Sequence, residues 1–189
     1  MQVIHYPDPF PTSAPTIATV GAFDGVHLGH RSIFQQLQQE AEQRQLASVI
    51  VTFTPHPQQV LHPEDNFQVI NTAEQKIELL KKENIDYLYI IPFTTNFAAW
   101  PPEQFIQQIL IGQLHTQALI MGPNHAFGHN RSGTHTSIQD YCHEHHIDII
   151  EIPEVVIHDN AVRSTLIRKH LQAGDYEKAE ELLGYKINV

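Results

Sequence analysis

Two histidines stand three residues apart in VGAFDGVHLGHRSIFQQLQQE, residues 20–40, with only Leu28 and Gly29 between them. They fall where a short apolar run gives way to a helical pattern. Gly21, Phe23, Asp24 and Gly25 precede them, and Asp24–Gly25 reads as a turn. A helix amino terminus offers free N–H groups and the positive end of its dipole, which suit a phosphate. Gly29 would let a phosphate come close to the backbone. His27 and His30 would flank it with hydrogen-bond donors. The plainer alternative is a pair of surface histidines at a helix start, because a chain with 14 histidines produces chance pairs. No Gly-Lys-Ser/Thr follows, so the stretch is not a Walker loop, and it lacks the dinucleotide fingerprint of glycines.

A second histidine-rich stretch, CHEHH at residues 142–146, spaces Cys142 and His146 four apart and His143 and His146 three apart. A zinc ion on a helix would accept that spacing. The chain has one cysteine and no evident fourth ligand, so no metal is assigned there.

These groups need elements to position them. TIATVG (16–21) reads as a buried β-branched strand. Residues 30–46 place Ile33, Phe34, Leu37 and Ala41 at helical spacing. ASVIVTF (47–53) reads as a strand, and TPHPQQVLHP as a Pro-punctuated loop. Residues 72–85 predict an amphipathic helix opened by a Thr72/Gln75 capping box. A strand over 86–93, a helix over 101–114 with Pro at its start, and a strand over 116–122 follow. After a Gly-rich loop come a helix over 137–146, a strand over 147–153 and a short strand in EVVIHD. Residues 163–184 predict two short helices joined at Ala173–Gly174. Residues 1–15 are Pro-rich and aperiodic and read as an irregular lead-in.

Strands alternating with helices predict an α/β chain: a parallel sheet with helices on both faces and a C-terminal helical cap. The 189 residues suit one domain. Right-handed crossovers gather the loops after the strands on one sheet edge, where ligands bind. Every Gly-, His- or Pro-rich loop named above follows a strand.

Composition narrows the function. A formal net charge of −10 argues against general nucleic-acid binding, which needs a basic face. A small anion in a locally positive pocket remains compatible. Arg31, Arg131, Arg163, Arg168 and Lys169, among only 11 Lys and Arg, lie beside these motifs. No apolar run reaches about 18 residues, so no membrane span is expected. The start does not read as a signal peptide. The single cysteine fits a reducing cytoplasm. Oligomeric state is not legible.

The run Gly21–Phe23–Asp24–Gly25–His27–Gly29–His30 resembles the His-x-Gly-His signature of the nucleotidyltransferase superfamily. More closely, it resembles the FMN adenylyltransferase module of bacterial bifunctional riboflavin kinase/FMN adenylyltransferases, the FAD synthetases. VTFTPHPQQVL (51–61) resembles that family's Thr-Phe-x-Pro-His-Pro segment. IMGPNHAFGHNRSGT (120–134) resembles its Gly-x-Asp/Asn-Phe-x-Phe-Gly loop, and RSTLIRKHLQAGDYEKAEELLG its Ser-Ser-Thr-x-Ile-Arg segment and Leu-Leu-Gly tail. The resemblance covers about residues 16–185.

It implies a Rossmann-like nucleotidyltransferase fold and the formation of FAD and pyrophosphate from FMN and MgATP. The FMN phosphate would attack the α-phosphorus directly, with no protein nucleophile. His27 and His30 would stabilise charge on the α- and β-phosphates, and Ser164, Thr165 and Arg168 would hold the triphosphate. For Ser164 and Thr165 the plain alternative is helix capping. ATP contacts would extend over Gly21, Phe23, Asp24, Gly25, Gly29, Asn124 and Arg163. Phe53, Pro55, His56, Pro57, Asn124 and Phe127 would face the flavin. Mg²⁺ would be held mainly by ATP phosphates and water.

Two departures stand out. His125 and Ala126 replace the family's usual Phe and Arg, and Arg163 stands where Ser is usual, with a charge that would partly compensate. The kinase half that normally follows the Leu-Leu-Gly junction does not follow here. If Val189 is the natural end, the chain should adenylate preformed FMN and be unable to make it. A different phosphate acceptor, or a weakly active flavin- or nucleotide-binding paralogue, are the alternatives.

Overall fold

The computed structural model describes residues 1–122, 135–158 and 160–187. Six parallel strands form one sheet: β1 (Gln2–His5), β2 (Thr16–Val20), β3 (Ala47–Thr54), β4 (Tyr87–Pro92), β5 (Thr116–Met121) and β6 (Asp148–Glu151), in the order β1-β4-β3-β2-β5-β6. The chain winds outward from β2 in both directions, so β2 and β5 flank a topological switch point.

Side chains alternate between the faces with period two. In β3, Val49 and Val51 join one core with Ala18, Val20, Tyr89 and Met121, while Ile50 joins the opposite core with Ile17, Leu88 and Ile120. Helix α1 (Leu28–Arg44) covers the second face with Ile33, Phe34, Leu37 and Ala41, the four residues its spacing marks. The first face is covered by α5 (Pro102–Phe105), its π-helical continuation Ile106–Ile111, and α6 (His135–Glu144). Helix α3 (Ala73–Leu80) starts at the Thr72/Gln75 capping box as expected. It stops at Leu80, because Lys82 and Glu83 bond three residues back and tighten the chain.

Other expectations shift. Within the supposed irregular lead-in, Gln2–His5 pairs with β4 as an edge strand. Four residues with Ile4 alone buried are too few to show a period. The Pro-punctuated loop contains a helical turn, α2 (Pro57–Leu61), with Pro at N1 and His56 as its cap. A further turn, α4 (Thr95–Ala98), is capped by Thr94. The short strand in EVVIHD is β7 (Val156–Ile157), paired antiparallel with β8 (Asn160–Ala161). The C-terminal cap is α7 (Ser164–Gln172) and α8 (Tyr176–Leu183), packed around Val162, Ile167, Ala179, Leu182 and Leu183. Among the described residues no helix is long and apolar enough to cross a membrane.

Candidate active site

The loop after β2 turns tightly. Phe23, Gly25 and Val26 have φ of 48°, 86° and 37°. Buried Phe23 packs edge-on against Phe34 and against His30, with ring centroids 5.1 and 5.2 Å apart. A side chain on Gly21 would meet the Phe23 ring at 2.8 Å.

His27 caps α1. Its Nδ1 accepts from the His30 backbone N–H at 3.3 Å, and the two imidazoles stack 3.5 Å apart at 18°. Accepting at Nδ1 places the proton of neutral His27 on Nε2, which leaves that N–H to donate. His27 is only 4% exposed. Burial, with a smaller push from Arg168, pulls its pKa from 6.5 to about 4. His27 is therefore neutral at pH 7, a dipolar donor beside a helix terminus. Gly29 lies in the first turn of α1. A Cβ there would meet the His27 ring and the Val162 carbonyl at 3.1 Å, so the missing side chain lets α1 press against the C-terminal segment.

Asp24 holds this arrangement from below. Its carboxylate accepts from the N–H groups of Ile70 (2.9 Å) and Asn71 (3.3 Å) and from Arg168 Nη2 (3.2 Å). Burial lifts Asp24 above the usual carboxylate range in spite of Arg168 and those N–H groups. The Asp24 carbonyl accepts from Ser164 Oγ at 2.9 Å. Ser164 thus anchors α7 to the loop after β2 instead of capping its own helix. Position 163, the N-cap of α7, supplies no side-chain bond to the helix. The first N–H groups of α7 are left to solvent or a ligand. Thr165 is exposed on that first turn. The amino termini of α1 and α7 therefore meet at one loop.

Arg163 stands just before α7. Its guanidinium lies exposed and paired with Glu154 at 2.7 Å. Pro55 is exposed after a cis Thr54–Pro55 bond, and Pro57 opens α2. His56 Nδ1 accepts from Gln58 N–H at 3.1 Å, and burial with Arg168 and Lys76 nearby lowers its pKa to about 4. Half-buried Phe53 packs against Phe93 and Phe97, with centroids 5.5 and 5.9 Å away. Asn124 and Phe127, with His125 and Ala126, lie outside the described residues.

Three participants were not found from the sequence. Phe67 stacks on His56 at 4.6 Å and lies 4.4 Å from the Arg168 guanidinium, linking the β3 loop to α7. A single aromatic in an aperiodic loop carries no signal. Tyr185 Oη lies 2.9 Å from the Gly25 carbonyl and 3.1 Å from Asn71 Oδ1, which share its one proton. Lys76 is buried, and its sequence clue was its position four before Leu80 on the inward face of α3.

The CHEHH stretch divides between two environments. Cys142 is buried in the core, its thiol pushed up to about 11, while His143, His145 and His146 are exposed. Among the described residues no three His, Cys, Asp or Glu side chains converge on a metal position. No protein ligand to Mg²⁺ is assigned.

The two depressed histidines give a pH signature. Each binds a proton more readily unfolded than folded, so their contribution is complete above about pH 6.5 and is lost as pH falls towards 4. For His27 the drop from 6.5 to about 4 corresponds to roughly 3 kcal/mol when complete. Urea midpoints are expected to fall between pH 7 and pH 5. His27→Asn, which keeps a capping side chain, is expected to reduce that slope by about one proton. An identical slope in the variant would show that His27 titrates normally.

Residues 10–166 match the family model for FAD synthetase. The bifunctional riboflavin kinase/FMN adenylyltransferase of Listeria monocytogenes is 30% identical over 190 residues, which cover 98% of this chain and 60% of that protein. The Bacillus subtilis protein of that name is 33% identical over 192 residues, covering 97% and 59%. The Escherichia coli K12 one is 30% identical over 169 residues, covering 89% and 54%. The chain thus spans somewhat over half the length of these curated relatives. Among solved structures, one described as a macrolide-efflux protein from Streptococcus pneumoniae superposes with a TM-score of 0.85 at 26% identity, over 97% of this chain and 70% of that one. A pantothenate synthetase from Thermus thermophilus shares the fold at a TM-score of 0.53 and 13% identity, over 93% of this chain and 76% of that one. With the family model matched across most of its length, the chain belongs to the FAD synthetase family.

Proposed function

We propose that this chain is an FMN adenylyltransferase, joining FMN and MgATP to give FAD and pyrophosphate. A phosphate oxygen of FMN forms a bond to the α-phosphorus of ATP. The bond from that phosphorus to the oxygen bridging to the β-phosphorus breaks, and its electron pair leaves with pyrophosphate. The observation that carries this reading is the junction of two helix amino termini, α1 and α7, on the loop that holds His27 and His30. Such a junction suits a polyanion that gains charge as the reaction proceeds.

In this reading Nε2–H of His27 and the His30 ring donate to the α- and β-phosphates. The uncapped turn of α7, with Ser164, Thr165 and Arg168, receives the rest of the triphosphate. Arg168 is held ready by Asp24 and Phe67, so little ordering remains when ATP binds. Mg²⁺ arrives with the nucleotide as part of the substrate. The Phe53–Pro57 segment serves the flavin side, and Phe67 joins the two sides. Asn124 and Phe127 belong to the nucleotide and flavin sides by resemblance alone. The reaction is placed in the cytoplasm, and no polynucleotide takes part.

The residues 1–189 are read as one adenylyltransferase domain. Incubation with ATP, Mg²⁺ and FMN, followed by flavin separation, is expected to yield FAD. Tight FMN binding without FAD would overturn the enzyme reading. Conversion of phosphopantetheine or nicotinate mononucleotide in preference to FMN would overturn the acceptor.

A further inference from the structure

Lys76 is 8% exposed, and its ammonium group makes no direct ion pair among the described residues. Nζ donates to the Ala22 carbonyl at 3.1 Å, Thr52 Oγ1 at 3.2 Å and the Phe53 carbonyl at 2.9 Å. Those three acceptors use all three of its protons. Ala22 begins the turn that leads to His27 and His30. Phe53 lies at the end of β3, two residues before Pro55. Thr52 Oγ1 also donates to the Ala22 carbonyl at 3.2 Å, so the carboxyl ends of β2 and β3 meet around this one ammonium.

We propose that Lys76 is a positioning residue for adenylyl transfer, fixing the histidine loop after β2 against the flavin-side segment after β3. The proposal rests on the adenylyltransferase reading above. Within it, the two loops carry the two substrates, and their separation sets the distance between the attacking FMN phosphate and the α-phosphorus. A misplacement of about 1 Å there costs on the order of 10²-fold. Because the ammonium is fully occupied, Lys76 acts through the carbonyls it holds and touches no substrate.

Burial lowers Lys76 to about 8, with Asp24 pulling the other way, so at pH 7 it remains charged and keeps three donors. A buried cation without a bonded acid is a poor device for stability alone, because its desolvation offsets the bonds it makes. That contrast separates a positioning role from a structural one. Methionine matches the aliphatic stem and removes the buried charge.

Lys76→Met is expected to keep or raise the urea midpoint, to lower kcat for FAD formation at least tenfold, and to weaken MgATP binding measured by calorimetry at least threefold. Lys76→Arg, which retains donors for both carbonyls, is expected to recover most of both losses. A folded Met variant with wild-type rate and affinity would overturn the proposal. So would activity that falls only in step with the folded fraction, or a folded Arg variant no better than Met. Wild-type protein that binds MgATP but makes no FAD would instead sink the synthesis reading, and the binding arm would then decide the role of Lys76. Wild-type protein that binds no MgATP would overturn both.

Discussion

Replacing His30 by Ala is expected to lower kcat for FAD formation by about 10²-fold or more, the usual cost of one preorganised donor to developing charge. His30 occupies the first turn of α1, stacked on His27 and edge-on to Phe23. Its backbone N–H already serves the His27 cap, so Ala leaves the local backbone bonding in place. The urea midpoint should change little and the KM for FMN less than kcat. His27→Ala is a less clean test, because it removes the cap of α1 along with a donor. Measurement of kcat and KM for both substrates decides the matter. An unchanged rate in folded His30→Ala protein would remove His30 from the mechanism.

Asp24→Ala is expected to have the largest effect on stability. It strands the backbone N–H groups of Ile70 and Asn71 and leaves Arg168, 17% exposed, without its carboxylate. Removing one partner of a buried, bonded charge pair costs about 3–5 kcal/mol. Asp24→Asn should cost much less. Burial raises Asp24 even with Arg168 beside it, so the site gains more from an acceptor than from a negative charge. The amide keeps an acceptor for the N–H groups and loses only the charge. Urea midpoints of the two variants at pH 7 test the order. Equal losses would mean that the charge, and not the acceptor, carries the contribution. Both variants should also bind MgATP more weakly, because Arg168 loses the group that orients it.

Much of the sheet was legible in the sequence because its strands are short apolar runs bounded by turns, and its helices carry a 3.6-residue stripe. Ile33, Phe34, Leu37 and Ala41 announce α1, and Thr72 with Gln75 announce the start of α3. The edge strand Gln2–His5 escaped because a four-residue element shows no period. It forms only when β4 offers its open edge. The turns at Pro57–Leu61 and Thr95–Ala98 escaped for a similar reason, their caps standing among prolines and polar residues that also spell loop.

The candidate site divides in the same way. Residue type and spacing marked His27, Gly29 and His30 at a helix mouth, and Ser164, Thr165 and Arg168 at another. Such local chemistry follows from the order of residues along the chain. Tertiary structure alone decided that the two mouths meet, through Ser164 Oγ on the Asp24 carbonyl, 140 residues away in sequence. It gave Asp24 and Gly29 the roles of brace and packing point between α1 and α7. It drew Phe67, Lys76 and Tyr185 into the same neighbourhood, since contacts between distant loops leave no periodic trace in the chain. It also set the charge of His27, because a pKa near 4 comes from burial, and burial belongs to the folded molecule and not to any stretch of its sequence.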